Sequence, residues 1–208
     1  MIGILGMILI LAGIKTRSLS YVTCAAVFGI YLLFLIHRTF FPLHISGNFA
    51  DMMKAAPFMV GVNLIPFKFS NVSDLYNIVR ELALNLVLLI PFGFGIRFLV
   101  SFRTKDVLWL ALTVGCSIEA IQLVISLIIG YPYRVIDIND VIMNTLGFLT
   151  GYGLFRLFVW LYILMTHRFQ IAHVGLGKYI YTIAIGTTDQ ENAKYNRFDE
   201  SVKPNPLD

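Results

Sequence analysis

The sequence predicts an all-α integral membrane protein, a polytopic transmembrane helical bundle of about five spans. Three observations predict it. Hydrophobic residues make up 58% of the 208 and charged residues only 13%, roughly half the ~25% charge of soluble domains. Mean hydropathy is +0.78. The apolar residues are also gathered into runs suited to a hydrocarbon core about 30 Å thick, with the charges between them.

The first run, Ile2 to Ile14, is followed by Lys15 and Arg17. A cleaved leader would place its positive charge before the run and small residues after it, and neither is present. At 1.5 Å per residue the run reaches roughly 20 Å, so it reads as a short first span. Leu19 to Ile36, opened by Ser18 and ended by His37 and Arg38, is the second. A long loop then runs to Arg80 through Pro42, Gly47, Pro57 and Pro66. Within it, Ala55–Val62 and Asn63-Leu-Ile-Pro66-Phe67 are too apolar for free solution, and are expected to lie in the interface or fold back over the bundle.

Asn71 or Ser73 can cap the third helix, which becomes apolar after Glu81 and runs to about Val100. Pro91 within it removes the hydrogen bond to Val87 and predicts a kink, with Gly93 and Gly95 following. Val107 to Ile129 is the fourth span, ended by Gly130-Tyr-Pro132. The fifth begins near Asp140 and ends near Met165, and its Gly147 and Gly151 form a small-xxx-small step that lets helices approach. Ile171 to Gly186 reads as an interfacial segment that alternates poorly for a helix, and Thr187 to Asp208 as a disordered polar tail. The domain reading is a short transmembrane segment over 1–18, a transmembrane domain over 19–166, and an interfacial segment with a cytoplasmic tail over 167–208.

The charges predict an orientation. One side collects Lys15, Arg17, Arg97, Arg103, Lys105, Arg156, Arg168 and Lys178, and the other Arg38, Lys54, Lys68, Arg80 and Arg134. The richer side is expected to be cytoplasmic, so the long loop is extracytoplasmic and the C-terminal tail inside. Trp109 and Trp160 fall near the cytoplasmic boundary, as an aromatic belt would.

A net charge of +4 without basic clusters argues against nucleic-acid binding. Cys24 and Cys116 sit inside apolar runs and read as small buried thiols. The four histidines have no ligand spacing, so no zinc site is expected, and no cofactor is implied. Membrane lipids are the expected partners, and nothing in the sequence supports a homo-oligomer.

The polar residues inside the apolar helices carry the functional reading. The third helix brings Asn85 beside Glu81, the fourth Glu119, Gln122 and Ser126, and the fifth Asp137, Asp140 and Asn144, with Arg134 just before it. All belong to the same half of the bundle, in either orientation. Glu119 is ten residues from its helix end, roughly 15 Å deep, where a charge costs at least ~2.5–3.5 kcal/mol. It needs a proton, a partner such as Arg134 or Arg80, or a cation; Asp137 and Asp140 could hold a hard one. The plainer reading makes Asp140 a helix N-cap, and Asn85, Gln122 and Asn144 interhelical glue worth about 0.6 kcal/mol each.

Four segments taken together resemble the VanZ-like family. They are Asn63-Leu-Ile-Pro66-Phe67, Glu81-Leu-Ala-Leu-Asn85 continuing to Pro91-Phe92-Gly93, Ser117-Ile-Glu119-Ala-Ile-Gln122, and Arg134-Val-Ile-Asp137-Ile-Asn-Asp140-Val-Ile-Met-Asn144-Thr-Leu-Gly147. Order and spacing match over roughly residues 20–165. The resemblance implies a multi-pass protein of the bacterial cell membrane, related to a teicoplanin-resistance protein that acts at the cell surface against lipid-bearing glycopeptides. It carries over Asn63, Pro66, Asn85, Pro91, Glu119, Gln122, Arg134, Asp137, Asp140 and Asn144, but supplies no mechanism.

Two functions follow as expectations. One is binding of an amphipathic surface ligand, either a lipoglycopeptide or a lipid-linked envelope component, in an outward-facing pocket of Asn63, Asn85, Glu119, Gln122, Arg134, Asp137, Asp140 and Asn144. The other is an intramembrane enzyme that modifies such a lipid, with Glu119 as general acid or base. A transporter is disfavoured by the absence of an internal repeat. Pro66, Pro91, Gly93, Gly147 and Gly151 are expected to shape the backbone.

Overall fold

The structure, a computed structural model, describes residues 19–41, 43, 46–68, 74–170 and 174–186. Four helices among them are long and apolar enough to cross a membrane. These are α1 (Leu19–Phe40), α3 (Leu75–Gly95, extended by a 3-10 turn at Ile96–Phe98), α4 (Val107–Ile129) and α5 (Ile138–Phe169). They correspond to the second to fifth predicted spans. The expected first span, Ile2–Ile14, the caps Asn71 and Ser73, and the tail 187–208 lie outside the described residues.

Three boundaries differ from the sequence reading. Helix α1 continues through His37 and Arg38 to Phe40, and Arg38 in the last turn complements the carbonyl end of the helix. Helix α5 starts at Ile138 and runs 32 residues to Phe169. The third correction is α6, residues 176–186, a regular helix in place of the expected poorly helical segment. Tertiary contacts hold it: Tyr162 Oη donates to Gly177 O at 2.9 Å, Tyr179 Oη donates to Phe98 O, and Ala184 is fully buried.

Helices α3 and α5 form the tightest pair, for a reason visible at the glycines. A Cβ on Gly147 would collide with Leu86 O, one on Gly151 with Ile90 O, and one on Gly93 with Phe148 O. Backbone therefore packs directly on backbone, and the small-xxx-small step does what its spacing suggests. Around this contact lies an aromatic core. Phe92 packs on Phe148 with centroids 5.7 Å apart, and Phe98 meets Phe155 edge-on at 5.4 Å. Leu89, Phe148 and Phe155 are fully buried. Of the two cysteines, Cys116 is exposed on α4, contrary to the buried-thiol expectation, and Cys24 is half-buried.

The long connection before α3 carries structure of its own. It contains α2 (Asn48–Ala55), a 3-10 turn at Phe58–Gly61, and β1 (Val62–Asn63). Strand β1 pairs in parallel with β2 (Ile136–Asp137), aligning Val62 with Ile136 and Asn63 with Asp137. Ala50 and Met53 of α2 pack with Tyr131 and Tyr133 of the α4–α5 connection in a small second core. The apolar Asn63–Phe67 segment thus folds back over one end of the bundle.

Candidate functional site

That end of the bundle contains a cavity of about 760 Å³ among α1, α3, α4 and the start of α5. Its size falls within the range of small-molecule sites. Asn85, Glu119, Gln122, Arg134, Asp137, Asp140 and Asn144 all line it, so seven of the eight predicted site residues converge. Asn63 does not line the cavity and acts one layer behind.

Helix α4 supplies Glu119 and Gln122 to the lining, and Ser126 lies beyond it. Glu119, Gln122 and Ser126 follow at i, i+3 and i+7, which sets them on one face. All three are buried, Glu119 at 6% exposure. The carboxylate of Glu119 accepts the Asp137 N–H at 3.4 Å. Nε2 of Gln122 donates to Thr39 O at 3.2 Å, in the last turn of α1 where helix carbonyls lack internal partners.

Arg134 also serves that helix end. Its Nη2 donates to Phe41 O at 3.2 Å and to Arg38 O at 3.4 Å. The anticipated pairing of Glu119 with Arg134 or Arg80 is not formed. Among the described residues, the ion pair within 4.0 Å is Arg103–Asp106, far from the cavity in sequence, and Arg80 does not line the cavity. The physical reason is geometric: Arg134 is anchored by the carbonyls of α1, so its guanidinium is held away from the carboxylates.

Asp137, rather than Asp140, caps α5. It adopts an extended conformation (φ −126°, ψ 127°), and its Oδ1 accepts the Asn139 N–H at 2.8 Å. The β1–β2 bridge sets that conformation and brings Asn63 alongside. Nδ2 of Asn63 donates to Oδ1 and Oδ2 of Asp137 at 3.1 and 3.2 Å, and to Lys68 O at 3.1 Å. Asp140, freed from capping, turns its half-buried carboxylate to Asn85 of α3 within the cavity.

Sequence reasoning passed over two residues here. Asn139 is 1% exposed, and its Oδ1 accepts the Phe67 N–H at 2.8 Å, stitching the Pro66–Phe67 turn to α5. Phe67 adopts a positive φ of 57°, strained for a residue with a Cβ, and this bond holds it there. Tyr133 is fully buried, lines the cavity, and has no partner for its hydroxyl. Burial pushes its phenol above the ordinary tyrosine value; Arg134 opposes the shift and Glu119 adds to it. An aromatic directly after Pro132 and before Arg134 was the available signal for Tyr133; Asn139, between two expected site aspartates, had a comparable one.

The remaining wall is apolar. Tyr31 and Phe34 of α1 face Leu84, Val87, Leu88 and Pro91 of α3. Phe34 and Val87 are 56% and 58% exposed, so this seam opens toward the surface that lipid would cover. Pro91 leaves Val87 O without its intrahelical donor on the same wall, and Tyr31 Oη donates to the neighbouring Leu88 O at 2.7 Å. No group of three or more His, Cys, Asp or Glu side chains among the described residues is placed to hold a metal. Asp137, one of the two suggested cation ligands, is instead engaged by Asn63 and the Asn139 N–H.

A family model described as VanZ/LLP1 matches residues 28–161, which spans the four membrane helices' shared core and every residue of the cavity. No curated protein and no solved structure matches the chain.

Proposed function

The chain belongs to the VanZ/LLP1 family of membrane proteins, and from that premise we propose that its cavity binds an amphipathic ligand of the cell surface. The ligand is a lipoglycopeptide antibiotic or a lipid-linked envelope component, and its capture contributes to glycopeptide (teicoplanin) resistance. One observation carries the reading. A single cavity has carboxylates and amides at its deep end and an apolar wall open at the α1–α3 seam. A soluble metabolite has no use for a lipid-facing wall, and a plain hydrocarbon has none for Glu119 and Asp140.

In this reading Asn85, Glu119, Asp140 and Asn144 meet the head group. Gln122 and Arg134 hold the end of α1 as one side of the entrance, and Asn63 orients Asp137 from behind. The excess of Lys and Arg at the opposite end of the bundle, including Arg103 and Lys105, supports placing the cavity at the outer face of a bacterial cell membrane.

The test compares cells carrying no protein, the native chain, Glu119→Gln or Asp140→Asn, at matched membrane levels. The native chain should raise resistance to acyl-bearing glycopeptides, and both variants should lose it. Wall and lipid extracts should be identical across the four strains. A new product that disappears with Glu119→Gln would replace binding by catalysis, with Glu119 as general acid or base. Unchanged susceptibility with the native chain present would overturn the resistance role.

A further inference from the structure

A second cavity, about 570 Å³, adjoins the first and lies deeper along the same seam. Its wall is almost wholly apolar, with Val27 and Phe28 of α1, Phe94 and the following Phe98 turn of α3, and Leu176 and Ile180 of α6. Tyr31 and Pro91 line both cavities. The two spaces therefore meet at one tyrosine and one proline, and the Tyr31 hydroxyl is turned away onto Leu88 O. The surfaces shared at the junction are thus the Tyr31 and Pro91 rings, against which a hydrocarbon chain can lie. From Pro91 to Phe98 the track descends roughly 10 Å along α3.

Carboxylates outnumber cations at the polar end, with Glu81, Glu119, Asp137 and Asp140 against Arg38 and Arg134. Glu119, Asp137 and Asp140 present acceptor oxygens, and Asn144, 3% exposed on the cavity wall, has an Oδ1 with no partner. Arg134 gives its Nη2 to two backbone carbonyls, and the unpartnered donors left on the wall, its Nε and the hydroxyls of Tyr133 and Thr39, are too few to offset four carboxylates. A buried acceptor without a donor forfeits its hydration with nothing in return, and carboxylates this deep need compensating charge. A primary ammonium brings one positive charge and three donors in a small volume. A phosphate would bring acceptors and negative charge to a site already full of both.

We propose that the two cavities form one lipid site for an amine-headed amphiphile: the ammonium lies among Glu119, Asp140 and Asn144, and the hydrocarbon chain passes Tyr31 into the apolar cavity. The proposal rests on reading the polar cavity as a ligand site. It adds the charge of the head group and the path of the chain, which lies in a groove of α1, α3 and α6 instead of free in the surrounding bilayer.

Photolabelling of the full chain in phosphatidylcholine nanodiscs tests it. The probes are alkyl chains of one length ending in an amine, a hydroxyl or a phosphate, made with a diazirine either beside the head or near the chain end. Adducts are mapped by mass spectrometry. The chain-end amine probe should label Phe94, Phe98 and Leu176, exceeding the phosphate probe by about tenfold or more, a difference expected of one charge-assisted contact. Glu119→Gln combined with Asp140→Asn should remove that preference. Val27→Trp and Leu176→Trp, at positions open enough to accept a larger ring (64% and 46% exposed), should block chain-end labelling yet keep head-proximal labelling in the polar cavity.

Equal labelling by amine and phosphate probes that still requires Glu119 overturns the amine head but leaves the polar cavity a ligand site. Chain-end adducts confined to the outer face of α1, at Ile30 and Leu33, overturn the chain path along the groove. Absence of any head-dependent labelling with either diazirine position overturns the polar cavity as a ligand site and this proposal with it.

Discussion

At the scale of single residues, the site is held by amides that the membrane would otherwise punish. Asn63 gives its Nδ2 to both oxygens of Asp137, and Asp137 in turn caps α5. Removing a donor from a partly buried carboxylate costs about 1–3 kcal/mol, so Asn63→Ala should lower the unfolding temperature in detergent measurably. Asn63→Asp should cost more, because it puts a second carboxylate where an amide now sits 3.1 Å from Asp137. Melting of Asn63→Asp at the native temperature would mean that this link does not hold the cap. The residue types of the site were legible, since an Asp, Glu or Asn inside an apolar helix is conspicuous. Their pairing was not. Asp137 and Asp140 both stand near a helix start, and the choice of cap depends on Asn63, 74 residues away in the chain.

At the scale of elements, close approach of α3 and α5 sets the geometry that the cavity inherits. Gly93, Gly147 and Gly151 each lie against a backbone carbonyl of the other helix. Alanine at any of them should force the pair apart and destabilise the protein by roughly 1–3 kcal/mol. Gly153 is the control, because it lies in the same helix with nothing within 4 Å of the place a methyl group would take. There alanine should be neutral or stabilising by up to ~1 kcal/mol through helix propensity. Thermal unfolding of the four variants decides it: the same change at all four, Gly153 included, would show that helix contact does not govern these positions. The spacing of Gly147 and Gly151 was readable, whereas their partners on α3 were not. Small residues permit approach without naming the helix that approaches. Helix α6 escapes a sequence reading for a related reason: its glycines and lysine weaken a local helix signal, and Tyr162, Phe98 and the buried Ala184 supply what its own sequence lacks.

At the scale of the molecule, the polar cavity and the helix ends at Arg103–Asp106 occupy opposite ends of the bundle. Orientation therefore decides whether the cavity meets the cell exterior. In a chain with Cys24 and Cys116 replaced by alanine, Val135→Cys, 47% exposed beside the cavity, should react from outside with an impermeant thiol reagent. Lys105→Cys at the other end should react only after the cells are opened. Asn139 would make a poor reporter despite its loop-like place in the sequence, because it is 1% exposed. Reversed labelling would put the cavity on the cytoplasmic side and end the surface-ligand reading.

By itself the sequence determined the membrane class, the four described spanning helices, the family, and the half of the bundle in which the polar residues gather. The family follows from the order and spacing of four segments, and the rest from hydropathy and the 3.6-residue period, which are properties of neighbours in the chain. Only the tertiary structure decided that Glu119 meets the Asp137 backbone instead of Arg134, that Asp137 takes the cap, and that the Asn63–Phe67 segment supports the site from behind. Those outcomes depend on which distant groups remain unsatisfied once the helices close. In a bilayer, where water cannot answer an orphaned donor or acceptor, the fold has to answer it.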